Sequence, residues 1–178
     1  MIFICGDSSV GKTSLRQRWA SNYFEEMYIP TLGMDFGQCK ISFLINNSEH
    51  KLNLQIWDFS GHERFRNLLS NYLAGIKFLL IMFDYSNRIS FNNIHGWLSL
   101  LAKQINLLEK HIIIIGNKVD LKNNSSNSIS FTEAQEMIRD LEEKYLYNER
   151  KILFFETSAK TGENINEVLK MLAEISTI

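Results

Sequence analysis

Near its start the chain reads Gly6-Asp7-Ser8-Ser9-Val10-Gly11-Lys12-Thr13, the pattern G-x-x-x-x-G-K-[ST], directly after the apolar run Ile2-Phe3-Ile4-Cys5. A buried strand therefore runs into a glycine-bearing loop, and the loop into a helix expected from Ser14 to about Asn22. That is the context a phosphate-binding P-loop needs. Gly6 and Gly11 let the backbone bend so that successive N–H groups point inward at an anion. The N-terminus of the following helix adds its positive dipole end. Asp7, Ser8, Ser9, Val10, Gly11, Lys12, Thr13 and Ser14 are thus the expected phosphate cradle. Lys12 supplies a point charge for β- and γ-phosphates, and the Thr13 hydroxyl can bind Mg²⁺.

A chain of 178 residues suits one domain, residues 1–178, burying about 70 % of its extended-chain surface. With 19 Lys and Arg against 20 Asp and Glu, no basic face for nucleic acid is expected. Cys5 and Cys39 both fall in expected strands and read as buried free thiols of a reducing compartment, consistent with a cytoplasmic protein. The apolar runs are too short for a transmembrane helix, and no signal peptide is expected ahead of Ile2. Ile2 in place of glycine excludes N-myristoylation. The ending Ile175-Ser176-Thr177-Ile178 carries no prenylation motif, so peripheral membrane contact is expected only through a tail absent from this sequence.

The segment from Tyr23 to Asp35 holds the only proline, Pro30, and reads as a long functional loop. Cys39, Ile41, Phe43 and Ile45 alternate with polar neighbours, as do Leu52, Leu54 and Ile56. With turn chemistry at Asn46-Asn47-Ser48-Glu49 they predict a hairpin. Arg64 to Gly75 is expected to be partly helical. Phe78 to Phe83 and Ile112 to Ile115 read as strands buried on both faces. Helices are expected over Ile89 to Asn106, Phe131 to Tyr147 (with Thr132 at its start) and through the stripe Ile165, Val168, Leu169, Leu172 and Ile175. The last strand is Ile152 to Phe155, and Lys122 to Ser130 is a solvated loop. Alternating strands and helices predict a mainly parallel sheet covered on both faces, with ligands beyond the carboxyl ends of its strands.

Four motif loops fall at those ends. Besides the P-loop, Asp58-Phe59-Ser60-Gly61 offers a carboxylate that can hold Mg²⁺ opposite Thr13, and at Gly61 an N–H that a γ-phosphate oxygen can approach unobstructed. Asn117-Lys118-Val119-Asp120 reads the base. The Asp120 carboxylate can accept from guanine's N1–H and 2-amino group, whereas adenine would set a bare acceptor against it. The Lys118 stem can lie along the nucleotide. In Glu156-Thr157-Ser158-Ala159-Lys160, backbone N–H groups of Ser158, Ala159 and Lys160 could reach the guanine O6.

These motifs, together with Thr31, resemble the Ras-superfamily small GTPases over essentially the whole chain. The sequence is most similar to the Rab group through Leu32-Gly33-Met34-Asp35-Phe36, Lys51-Leu52-Asn53-Leu54-Gln55-Ile56-Trp57 and Arg64-Phe65-Arg66. The resemblance implies a three-layer P-loop NTPase fold with a six-stranded, mostly parallel sheet and one antiparallel edge strand. It implies a GTP/GDP switch of the kind that serves vesicle trafficking, with effectors, an exchange factor and a GTPase-activating protein as partners. Thr31 would be a second Mg²⁺ ligand beside Thr13 and Asp58, present only with GTP. Phe24 and Tyr28 would face the nucleotide, and Lys12, Thr31, Gly61 and residue 62 would serve hydrolysis.

The resemblance also implies an effector surface on Phe36, Trp57 and Tyr72, which plain core packing would equally explain. The sequence departs from the family at His62, where a water-orienting Gln is usual, at Phe59 and Ser60, where Thr and Ala are usual, and in lacking a prenylated tail. Slow intrinsic hydrolysis is therefore expected. A GTP-binding scaffold with negligible turnover shares every residue but His62 and its neighbours. A P-loop kinase has no sign of a lid and conflicts with Asp120. His50, His95 and His111 read as structural.

Overall fold

The computed structural model describes residues 1–22, 24–25, 30–45, 48–122 and 128–176, with the side chains of 43–45 and 48–50 left out. Tyr28, the turn residues Asn46 and Asn47, residues 123–127 and the side chains of Phe43, Ile45 and His50 therefore lie outside the described residues.

The strands are β1 (Ile2–Gly6), β2 (Met34–Ile45), β3 (Ser48–Phe59), β4 (Phe78–Asp84), β5 (His111–Asn117) and β6 (Leu153–Glu156). They form one sheet in the order β2-β3-β1-β4-β5-β6. Among the described residues only the β2–β3 pairing is antiparallel; β1, β3, β4, β5 and β6 run parallel. The helices are α1 (Lys12–Ser21), α2 (Arg88–Asn92), α3 (Ile94–Ala102), α4 (Phe131–Leu146) and α5 (Ile165–Ser176).

The continuous apolar strands explain the three layers. Successive side chains of a strand point to opposite faces. Phe3 and Cys5 of β1 join Leu79, Ile81, Ile112 and Ile114 against α3 and α4. Ile2 and Ile4 join Leu80, Met82, Ile113 and Ile115 against α1 and α5. Both cysteines are free and buried, and burial pushes the Cys5 thiol up to about 12, which makes it inert.

Several boundaries differ from the sequence expectation. α1 begins at Lys12 rather than Ser14, its first residues drawn into the helix beneath the loop. The hairpin is longer at both ends: Met34 and Asp35 belong to β2, Trp57 to Phe59 to β3, and Ser48 and Glu49 to β3 rather than the turn. The segment after Gly61 forms a 3₁₀ helix, Glu63–Asn71. The helix expected over Ile89 to Asn106 is divided at Asn93 and ends at Ala102. The Asn93 side chain donates to Asp7 of the P-loop at 2.6 Å, and Asn106 caps a separate 3₁₀ turn, Leu107–Glu109. α4 starts at Phe131 as expected and ends at Leu146, and its cap is Ser130, which forms a capping box with Glu133.

Candidate nucleotide site

Because β1, β3, β5 and β6 are parallel, their carboxyl ends open on the same edge of the sheet. β2 runs the other way, so the segment before it arrives at the same edge; the Ser60 N–H donates to the Gly33 carbonyl at 2.9 Å. A cleft of about 520 Å³ lies there. From the P-loop and α1 it is lined by Ser8, Ser9, Gly11, Lys12, Thr13 and Ser14. Thr31, Gly61 and His62 line it from the hairpin side, Asn117, Lys118, Asp120, Ala159 and Lys160 from the far side, and Phe24 also lines it.

The loop over α1 is held in a shape only glycine suits at position 11. Gly11 has φ 100°, and a Cβ there would fall 2.1 Å from Asn117 Nδ2. Lys12 is 6 % exposed, and its Nζ donates to the Gly6 carbonyl at 2.9 Å and the Asp7 carbonyl at 2.6 Å. Gly61 packs directly on this loop: a Cβ on it would lie 2.2 Å from the Ser8 nitrogen and 2.7 Å from the Asp7 oxygen.

Asn117 braces the base side. Its Nδ2 donates to the Val10 carbonyl at 2.8 Å, and its Oδ1 accepts from the Thr157 hydroxyl at 3.1 Å and the Ala159 N–H at 3.0 Å. One side chain thus ties the P-loop to the loop after β6. The Ala159 N–H is committed to Asn117 rather than open to a base oxygen. The Ser158 hydroxyl donates to the Asp120 carboxylate, which keeps lone pairs for further donors. Lys118 has a left-handed backbone, and its Nζ pairs with Asp84 at 2.7 Å. Arg18 donates to the Ala159 and Lys160 carbonyls at 2.7 and 2.6 Å and lies 5.8 Å from the Phe24 ring centre.

Not every expected residue reaches the cleft. Val10 and Ser158 are fully buried. The Asp7 carboxylate is turned to α3, where it accepts from Asn93 and, at 2.9 Å, from Trp97 Nε1. Residues that sequence reasoning missed also line it, namely Gln17, Glu25, Ser60 and Leu121. Gln17 had a signal, since it lies four residues beyond Thr13 on the same face of α1; the others adjoin motif residues.

Oxygen ligands suited to a hard cation converge beside Lys12. The Thr13 hydroxyl donates to Asp58 Oδ2 and lies 3.0 Å from the Thr31 hydroxyl. Asp58 is 0 % exposed, and its Oδ1 is buried without a hydrogen-bond partner. Burial raises the Asp58 pKa against the opposing Thr13 hydrogen bond and the charges of Lys12 and Arg16. Burial likewise lowers that of Lys12. An anion at Lys12 and a cation at Asp58 would each relieve a buried charge. The donor set, two hydroxyls and a carboxylate with an orphaned oxygen, fits Mg²⁺ completed by phosphate and water.

The expected aromatic triad is assembled. Trp57 stands 4.8 Å from Phe36 and 5.9 Å from Tyr72, ring centre to ring centre. Trp57 and Tyr72 rest on the core, while Phe36 is 42 % exposed.

The family model described as the Ras family matches residues 1–177. The chain belongs to the Ras family. Ras-related protein Rab-27B of Bos taurus is 34 % identical over 176 residues, covering 96 % of this chain and 76 % of the relative. Ras-related protein Rab-27A of Rattus norvegicus is 33 % identical over the same length, covering 96 % and 75 %. Human Ras-related protein Rab-27B is 32 % identical, covering 96 % and 76 %. This is a Rab-like small GTPase of the Ras superfamily, a class that binds GTP and GDP, and its six-stranded sheet with one antiparallel strand is the Ras-like P-loop fold. Among the described residues no helix is long and apolar enough to cross a membrane.

Proposed function

We propose that residues 1–178 form one guanine-nucleotide domain that acts as a GTP/GDP switch, hydrolyses GTP slowly on its own, and offers the surface around Phe36, Trp57 and Tyr72 to effectors. The observation that carries this reading is the convergence of the P-loop, Thr31, Gly61, His62, Asp120 and Lys160 on one cleft of about 520 Å³. That volume suits a single small-molecule ligand.

Asp120 selects guanine by accepting from its donor edge, at a cost of several kcal/mol to a base that offers an acceptor. The buried ammonium of Lys12 neutralises charge on the β- and γ-phosphates. Mg²⁺, held by Thr13, Thr31 and Asp58, would supply further charge neutralisation of the phosphates. The Gly61 N–H, with no side chain beside it, would donate to a γ-phosphate oxygen. Thr31 and Gly61 thereby report the triphosphate to β2 and to the 3₁₀ helix at Glu63–Asn71, which carry Phe36 and lead into Tyr72.

His62 lines the cleft, and among the described residues no bond to its imidazole is seen; its backbone N–H lies 3.4 Å from the Ser60 hydroxyl. A neutral imidazole can accept a proton from an attacking water and donate through its other nitrogen. A ring held so loosely aligns that water poorly, hence the slow rate. A partner supplying an arginine finger and ordering this segment would lower the barrier by roughly 4–7 kcal/mol. Effectors, an exchange factor and a GTPase-activating protein complete the cycle, and the names of the Rab relatives support a role in vesicle traffic.

The test is single-turnover hydrolysis of preloaded GTP by wild type, His62→Gln and His62→Ala, with bound nucleotide identified by chromatography. Guanine nucleotide should be recovered, with slow turnover that His62→Ala slows further. Recovery of adenine nucleotide overturns the reading. Equal rates for wild type and His62→Ala, with and without an accelerating partner, favour a non-hydrolysing scaffold.

A further inference from the structure

The strand register puts two carboxylates face to face. Asp35 of β2 is directly opposite Asp58 of β3, and like charges so placed repel. Asp35 accordingly counts among the charges that disfavour ionised Asp58.

Arg16 lies between them. It follows Thr13 by three residues on α1 and so projects on the same face of the helix as that hydroxyl. Its Nη2 donates to Asp35 Oδ2, and its Nε stands 3.9 Å from Asp58 Oδ2. The Arg16 side chain is 14 % exposed, and its Nε is buried without a hydrogen-bond partner, as is Asp58 Oδ1. The strand opposite makes room for it. At Gly37 of β2 a Cβ would fall 2.8 Å from Arg16 Nη1 and 3.0 Å from its Cδ, so a side chain there would have to displace the guanidinium.

A permanent cation on a short tether thus stands against the carboxylate that the proposed function assigns to Mg²⁺. Arginine keeps its charge at every physiological pH, and its planar fork can serve two carboxylates at once. Two consequences have the same sign. With Mg²⁺ present, the guanidinium repels the ion and competes for Asp58. With Mg²⁺ removed, it still neutralises Asp58, which would otherwise face the phosphates as a bare like charge.

We propose that Arg16 is a specificity-determining residue that uncouples nucleotide retention from Mg²⁺, acting as an internal counter-ion to Asp58 and Asp35. The proposal rests on the guanine-nucleotide reading of the cleft. It concerns how tightly the two ligands are linked, not whether either binds.

The coupling is read as the ratio of fluorescent-GDP release rates after EDTA and in excess Mg²⁺. It is measured on wild type, Arg16→Met, which keeps the stem and removes the charge, and Arg16→Lys, which keeps the charge. Arg16→Met should raise the ratio by about tenfold or more, since a charge pair about 4 Å apart is worth more than its bulk-water value where both partners are mostly buried. The Mg²⁺ concentration that half-suppresses release should fall, and Arg16→Lys should stay nearer wild type. A merely structural role would speed release equally in both conditions. An unchanged ratio in Arg16→Met that still holds GDP in Mg²⁺ overturns the proposal while leaving the nucleotide reading intact. If Arg16→Met does not fold, Arg16→Gln carries the same expectation and the same refutation. A wild-type chain that retains no GDP in Mg²⁺ overturns the nucleotide reading, and this proposal with it.

Discussion

The two sides of the cleft are held in different ways. On the base side, Asn117 alone joins Val10, Thr157 and Ala159. Ser158 is bonded to Asp120, Lys118 to Asp84, and Arg18 to the backbone of Ala159 and Lys160. On the γ-phosphate side, Thr31 meets Thr13 through a hydroxyl contact at 3.0 Å, and His62 is bonded, among the described residues, through its backbone, its N–H 3.4 Å from the Ser60 hydroxyl and its carbonyl accepting from the Phe65 N–H at 3.1 Å. Arg66 rests over the Trp97 ring at 4.9 Å, tying the 3₁₀ helix to a residue that itself bonds Asp7. The base side is braced by the chain's own side-chain bonds. The γ-phosphate side has fewer of them, so on the proposed reading the triphosphate would add more order there, as a switch requires.

Damage to the base side should therefore be the most costly to binding. Asp120→Asn replaces an acceptor with a donor facing the guanine amino group, and GDP affinity should fall by about 10²-fold or more. Xanthosine diphosphate, with a carbonyl at that position, should bind the variant better than GDP does. Calorimetry with both nucleotides measures this; no shift toward the xanthine nucleotide would remove Asp120 from the base site.

Asn117→Ala comes next. It strands the Val10 carbonyl, the Thr157 hydroxyl and the Ala159 N–H, all buried. Both stability and GDP retention should suffer, by about 2 kcal/mol or more in unfolding free energy. Denaturant melts and GDP release rates on one preparation test it. A loss confined to binding, with stability intact, would mean the brace is not internal.

The smallest effect should come from a site remote from both sides. Ser130→Ala removes the cap of α4, worth about 1 kcal/mol, and should leave GDP release unchanged. Glu133 of the same box is held to about 2, first by the hydrogen bond from Arg88 and then by that from the Ser130 backbone. Its folded value lies below its ordinary 4.5. Its contribution is therefore present above that value and lost as pH falls through the interval toward about 2. The stability gap between wild type and Glu133→Gln should narrow over that interval; a gap constant with pH would mean that the Glu133 charge takes no part in the cap.

How much of this could be read in the sequence depended on how local the cause was. The apolar runs of β1, β4 and β5 declare buried parallel strands because both faces are covered, and each motif loop follows from its strand. The capping box was also legible: Ser130 stands three residues before Glu133, although Thr132 draws the eye. The division of the helix at Asn93 was not, since the apolar period continues through Ile94, Trp97 and Leu98. What divides it includes a bond to Asp7, far away in sequence. Arg16 was hidden for the same reason. On α1 alone it is one more polar helix residue, and its meaning comes from Asp35, Gly37 and Asp58 on two other strands.

The central claim is that the nucleotide completes one side of the cleft and merely occupies the other. Amide hydrogen exchange with GDP and with a non-hydrolysable GTP analogue tests it most directly. Protection should rise with the analogue over residues 30–36 and 59–75 and change little over 111–121. Equal protection of 30–36 and 59–75 in the two states would contradict the account.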